Sequence, residues 1–495
     1  MTLFTLLTYV LIAAIIMTLI VIYGFKAHKS YLMSFAQNYV GALFLFSGWV
    51  KAVDPLGTAY KMQDYFAEFE ATFEPTWFGF ISPIFPLFSQ YVVAFSVVVI
   101  VFEIALGLML ILGHKPKFTS WAFLLLVLFF TVLTGFTYLT GYVPDGSNFF
   151  SFGDWSAYKE TNMKVTDCGC FGDFIKLEPK VSFFKDVFLL FPAFYFLFAK
   201  DSMHQLLGRN SRNIIVSVAV VGLIYYCLSN YVWDIPKNDF RPFKKAKDIY
   251  QAKNAEEAAL ANVQITHYGI TNKATGEYLK LPYNQYLKEF KNYPKEEFGL
   301  EQITTKPSIK KSKLSEFDIT DIDGYGINED ILYNDKPVIF LVAYKLYGDG
   351  VPATKILKDT IYSYDTLRLD GVDNIEIKKN IESISERTVN YTDYVWKEDY
   401  AERYREVIKP FIDEAQKDGV EVIMAVGGAS ADQIKDFDKD IGLGIKYGIA
   451  DDILLKTIVR SNPGIVLMEK GVLSDKWHYK QLPAWSDVKA LYIDQ

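Results

Sequence analysis

Residues 87–112 read LFSQYVVAFSVVVIVFEIALGLMLIL, a nearly unbroken apolar run with one charge, Glu103, inside it. A helix needs about 20 such residues to cross the hydrocarbon of a bilayer, so this stretch predicts a membrane span. A carboxylate at that depth is costly unless it is paired, protonated or wetted. Glu103 is therefore a candidate functional residue. The plainer reading is a neutral Glu bonded across the bundle to Thr131 or Thr134. Working outward, residues 3–25, 35–53, 118–142, 181–199 and 214–233 carry the same apolar signature. The first of these lacks a basic leader and a cleavage site, and it is expected to persist as a helix. Residues 1–233 thus read as a membrane domain of six helices.

Basic residues set the expected orientation. Lys26 and Lys29, then Lys115 and Lys117, then Lys200, Arg209 and Arg212 occupy three short loops that alternate with acidic or long ones. The positive-inside rule puts those three in the cytoplasm. The N-terminus, the acidic loop with Asp64, Glu68, Glu70 and Glu74, and everything after Trp233 then face outward. In a bacterial inner membrane that side is the periplasm, where cysteine pairs can be oxidised. The net charge of −7, without any basic block, argues against a nucleic-acid partner.

Two of the three cysteines lie in one outward loop, Asp167-Cys168-Gly169-Cys170-Phe171-Gly172-Asp173. Cys168 and Cys170 are the candidate catalytic residues. Gly169 lets the backbone bend enough for a small disulfide ring, which would be strained and easily reduced. A structural cross-link or two idle thiols is the bland reading. Asp167 and Asp173 are expected to disfavour the thiolates. Cys227, in the last span, reads as a small buried hydrophobe. A zinc site would need about four ligands, and no metal is expected here. Lys51 and Lys185-Asp186 fall near the outer ends of their spans and read as snorkelling or paired structural groups.

Three motifs carry a family resemblance. VGALFLFSGWVKAVDPLG at 40–57 resembles the opening helix and turn of the DoxX/MauE group of membrane proteins. FEIALGLMLILG at 102–113 is similar to that group's acidic third segment. TVLTGFTYLTG, DCGCFGD and FFKDVFLL then follow in the group's order. The resemblance spans residues 35–199 and implies a four-helix core with one extra helix before it and one after. It also implies thiol or quinone redox work, with a quinone as possible electron acceptor, and maturation of envelope proteins, with such a protein as client. Asp239-Phe240-Arg241-Pro242 resembles the start of the tail in DoxX-type proteins that carry an added C-terminal domain.

Residues 234–335 read as a linker and a small strand-containing segment, with a helix around 254–261 and a hairpin turning at Lys273-Ala274-Thr275-Gly276. From residue 336 to 495 the order is α/β and resembles a thioredoxin-like domain. In that reading Asn462-Pro463 is a cis-proline loop that binds a client strand. An insertion at 346–398 stands where the fold's Cys-x-x-Cys would be, and no cysteine follows Cys227, so this domain cannot exchange disulfides itself. The expected fold class is an all-α membrane bundle plus an α/β soluble domain. Two functions stay open: thiol redox through Cys168 and Cys170, or a non-catalytic scaffold that holds a client. A transporter built on Glu103 is a third, without an inverted repeat to support it.

Overall fold

A computed structural model describes residues 2–165, 169–368 and 375–494, with the side chains of 365–378 left aside. The chain forms two compact units, residues 1–244 and 245–495.

The first unit is helical: α1 (Leu3–Leu19), α2 (Tyr31–Val53), α3 (Pro55–Phe73), α4 (Ile84–Gln90), α5 (Val92–Leu112), α6 (Pro116–Thr140), α7 (Pro179–Phe198) and α8 (Arg209–Leu228). π-helical turns extend α1 through Gly24 and α8 through Trp233. Local chemistry sets the boundaries. The Ser30 hydroxyl caps α2 by accepting from the Met33 amide. Asp54 precedes a proline and leaves the helical region (φ −129°, ψ 77°), which ends α2. Its carboxylate then accepts from the Gly57 amide and starts α3. Gly113, left-handed at φ +61°, ends α5.

Among the described residues, five helices are long and apolar enough to cross a membrane: Leu3–Gly24, α5, α6, α7 and Arg209–Trp233. The six expected spans included α2. It has 23 residues, but it buries Ser34, Gln37, Asn38, Ser47 and Lys51. Its place inside the bundle accounts for that polarity. Gln37 donates to the Leu110 carbonyl and accepts from the His204 amide, while Asn38 donates to Thr18. Glycines bring α2 close to α5: a Cβ on Gly107 would stand 2.8 Å from the Gly41 carbonyl oxygen.

The acidic segment after α2 is mostly helix, not loop. In α3 the buried residues Ala59, Met62 and Phe66 recur at helical spacing and pack with Phe85 and with Val92 and Phe95 of α5, leaving Asp64 and Glu68 on the other side. Its apolar stripe is too narrow to register as a span.

The second unit contains β1 (Lys247–Asp248), α9 (Ile249–Ala261), β2 (Ile265–Asn272), β3 (Tyr278–Pro282), α10 (Tyr283–Glu289), β4 (Phe298–Thr304), β5 (Ile319–Asp321) and α11 (Asn328–Leu332). Then come β6 (Val338–Ala343), β7 (Gly348–Arg368), β8 (Ile375–Trp396), α12 (Glu398–Glu402), α13 (Lys409–Lys417), β9 (Glu421–Gly427), α14 (Ala431–Ile441) and β10 (Lys446–Ala450). α15 (Asp452–Ile458), β11 (Gly464–Glu469), β12 (Val472–His478) and α16 (Trp485–Tyr492) complete it. The main sheet has the order β1-β12-β11-β6-β9-β10-β5. β6 is parallel to β9, which is parallel to β10, and β11 is antiparallel to both β6 and β12. Every residue of β6 is buried, as a strand covered on both faces requires. β2 and β3 form the expected hairpin, joined by β4 in a small sheet.

The insertion at 346–398 is an antiparallel ribbon of β7 and β8, paired from Gly348/Trp396 outward. At about 3.3 Å per residue each strand would run roughly 70 Å if straight. Lys358–Glu386 (3.3 Å) and Arg387–Asp359 (2.9 Å) tie the two strands together.

Candidate functional site

A buried lysine and a buried glutamate of the helical unit meet each other. Lys51 on α2 places its Nζ 2.7 and 3.0 Å from the two carboxylate oxygens of Glu103 on α5. Both side chains are buried, at 7% and 2% exposure. Glu103 is thus paired with a cation. It is not bonded to Thr131 or Thr134: Thr131 donates to the Val127 carbonyl, and Thr134 reaches Asp186 at 3.0 Å. Lys51 also lies 4.9 Å from the centre of the Phe130 ring. Removing either partner of such a pair would strand a charge away from water.

Lys51 does not snorkel to an outer interface. α3 begins two residues after α2 ends, and Ser96 on α5 donates to the Pro55 carbonyl (2.9 Å). The end of α2 is therefore inside the protein. A second pair, Lys185–Asp186, lies on α7, with Asp186 fully enclosed (2% exposed) and held by Thr134.

The cysteine loop rests on these groups. Cys168 and Asp167 lie outside the described residues, and with them the expected pairing of Cys168 and Cys170. Gly169 (φ +60°) and Gly172 (φ +50°) give the described part its left-handed turns, where a side chain would be strained. The Ser47 hydroxyl donates to the Cys170 carbonyl at 2.9 Å and accepts from Lys51 Nζ at 3.2 Å. A continuous polar chain therefore runs from the Cys170 backbone through Ser47 and Lys51 to Glu103. Burial pushes the Cys170 thiol above its ordinary pKa, Asp186 pushes the same way, and Lys185, Lys51 and Ser182 pull it back. The Asp173 carboxylate lies 3.5 Å from Lys176.

Aromatic side chains fix the loop. Phe171 is buried and packs on Phe46, as does Phe174. Phe240 then covers Phe174 and Trp49 at ring distances of 4.9 and 6.0 Å. The segment that carries Phe240 is fastened by Arg241, which grips the Asp239 carboxylate with a two-pronged contact at 2.8 and 2.9 Å. Cys227 packs elsewhere, in an apolar cluster with Ala52, Ile100 and Ile104.

In the second unit, Asn462-Pro463 is cis. Asn462 is buried at 5% exposure and turned inward: its amide donates to the Lys345 carbonyl (2.7 Å) and its carbonyl oxygen accepts from Tyr400 (3.2 Å). Its backbone carbonyl is occupied by Arg403 (2.9 Å).

The sequence singles out Glu103, Cys170, Lys51 and Lys185-Asp186 one by one, but not Ser47 or Ser182 and not the meeting of Lys51 with Glu103. The usable signal was the spacing: Ser47/Lys51 and Ser182/Lys185/Asp186 each stand one helical turn apart.

A multi-pass membrane protein, with ion pairs buried among its helices and a cysteine loop seated on them, is what this unit defines. Residues 29–155 match the family described as Methylamine utilisation protein MauE. The matched stretch spans α2 to α6, contains Lys51 and Glu103, and ends before the cysteine loop and α7. No curated protein and no solved structure matches the chain.

Proposed function

We propose that the helical unit is a thiol–disulfide redox protein that acts through Cys168 and Cys170 during maturation of envelope proteins, as the DoxX/MauE resemblance implies. The observation that carries this reading is the chain Cys170–Ser47–Lys51–Glu103. A loop used only as a linker has no need to stand on a buried lysine–glutamate pair, which is expensive to assemble. In this reading α2 is a sixth span, the protein lies in a bacterial inner membrane, and the loop and the second unit face the periplasm. A quinone is the electron acceptor that the resemblance suggests.

The second unit is best read as thioredoxin-like. The order β12-β11-β6-β9-β10, in which β6 is parallel to β9 and β9 to β10 while β11 is antiparallel to β6 and β12, with α13 leading into β9, supports it. Without cysteine this unit serves binding, and the client is an extended protein segment. The alternative reading, a non-catalytic scaffold throughout, draws on the same lack of cysteine after Cys227.

The test is genetic and chemical together. Thiol trapping in intact cells should find Cys168 and Cys170 switching between oxidised and reduced forms. The double variant Cys168→Ser, Cys170→Ser should fail to restore the phenotype of a deletion, whereas Cys227→Ser should restore it. Full complementation by the double variant would leave the scaffold reading in place.

A further inference from the structure

At the C-terminal end of α5, where Gly113 turns the chain towards α6, lies a cleft of about 430 Å³. Pockets for small ligands run from about 300 to 1,000 Å³. His114 and Lys115 of the turn, with Asn213 and Ser217 of α8, give the cleft a polar side; Phe118 of α6 and Val216 of α8 give it an apolar one. His114 is only 4% exposed. Its backbone is fixed at both ends: the amide donates to the Met109 carbonyl (2.8 Å), and the carbonyl accepts from the Thr119 hydroxyl (2.6 Å). Its ring has no hydrogen-bond partner among the described residues, although a buried polar side chain ordinarily has one.

The charge around the cleft is of one sign. Arg209, Arg212, Asn213, Val216 and Ser217 follow one another at the spacing of a single helix stripe, so α8 turns both arginines to the side that carries the cleft. Arg212 Nη1 donates to the carbonyl of Gly113, the residue before His114, at 2.9 Å, while its Nε is buried with no partner among the described residues. Lys115, Lys117 and Arg209 are exposed. None of these four cations is paired with a carboxylate among the described residues. α6 begins at Pro116 and α8 at Arg209, each without a side-chain cap, and their open amide ends add positive potential. A basic residue that only sets orientation needs to stand outside the hydrocarbon; it has no use for a cleft or a buried imidazole.

We propose that this cleft binds the phosphate of an anionic phospholipid, with Lys115 and Arg209 meeting its charge and Asn213 and Ser217 donating to its oxygens. Donors without a carboxylate among them select an anion, and donors arriving from a turn and from a helix suit a group with several acceptor oxygens. The apolar wall selects a lipid over free phosphate. Phe118 on α6 and Ile214, Val218 and Val221 on α8 are exposed apolar side chains. In a bilayer such surfaces face acyl chains, so a lipid whose headgroup sits in the cleft can lay its tails along them. Basic pockets between helices near the membrane surface hold anionic headgroups in the same way.

The experiment offers the full-length protein, in mild detergent, phosphatidylglycerol and phosphatidylcholine with the same acyl chains, and counts bound lipid by native mass spectrometry. The first phosphatidylglycerol should bind in clear preference to phosphatidylcholine, whose choline cation the cleft repels. Lys115→Gln and Arg209→Gln together, both at exposed positions where folding is spared, should weaken that binding about tenfold or more. Ser217→Phe, also at an exposed position, fills the cleft without changing the charge and should weaken it too. Lys26→Gln with Lys29→Gln removes the same charge from another basic loop and should leave the binding unaltered. Equal retention of the two lipids, or an equal loss in the Lys26, Lys29 variant, would overturn the proposal, since the charges would then act as a general surface property. Displacement of the lipid by millimolar inorganic phosphate would overturn it as well, by giving the cleft to a soluble phosphate.

Discussion

Glu103 and Lys51 show how far a single position can be read. The cost of a carboxylate in an apolar run was legible from residues 87–112 alone. Its partner was not, because Lys51 lies at the end of its own helix, where a lysine ordinarily reaches water. What changes the reading is tertiary: α3 folds back over that end and seals it. The pair makes a specific demand on variants. Glu103→Met or Lys51→Met alone should destabilise the protein by about 3–5 kcal/mol, since each leaves a buried charge unmatched. The double variant Lys51→Met, Glu103→Met should be more stable than either single one, because no charge is then stranded. Thermal denaturation in detergent measures this. A double variant whose loss equals the sum of the two singles would mean that the charges do not sense one another.

At the scale of elements, α2 and α5 meet along small residues. A Cβ on Gly107 would collide with backbone, at 2.8 Å from the Gly41 oxygen and 3.0 Å from the Leu45 nitrogen, so the helices would have to move apart. Close approach through glycine is a common way for helices to associate in membranes. Gly107→Ala should therefore cost about 1–3 kcal/mol. Gly222→Ala on α8, where nothing lies within 4 Å, should be silent in the same denaturation assay. The long apolar helices were legible because each repeats one simple signal over many residues. The strand β6 and the hairpin of β2 and β3 were legible for a similar reason. α3 was not, since Lys61, Asp64, Glu68 and Glu70 interrupt its apolar pattern. The β7–β8 ribbon was not legible either, because each strand finds its partner only in the other and neither contributes to the main sheet. The cysteine loop is an intermediate case. Its glycines announced a turn, but nothing local announced that Ser47 would meet it from residues far away in the chain.

For the whole molecule the remaining question is which side faces out. The alternating basic loops give a definite expectation: a reporter active only in the periplasm should work when fused after Gln495 and fail when inserted at Lys115. The reverse pattern would move the cysteine loop into a reducing compartment, where a disulfide is not maintained. The two units also divide the chemistry. All three cysteines belong to the helical unit, and the second unit carries none.

The Lys51–Glu103 pair has a consequence in time. The two residues are 52 positions apart in the chain. At a synthesis rate of about 5–20 residues per second, α2 leaves the ribosome roughly 3–10 seconds before its counter-charge exists. During that interval its lysine must be sheltered by water, lipid headgroups or the insertion machinery. Only when α5 arrives can the bundle close around both. The order of translation is therefore also the order in which this protein becomes able to hide its charges.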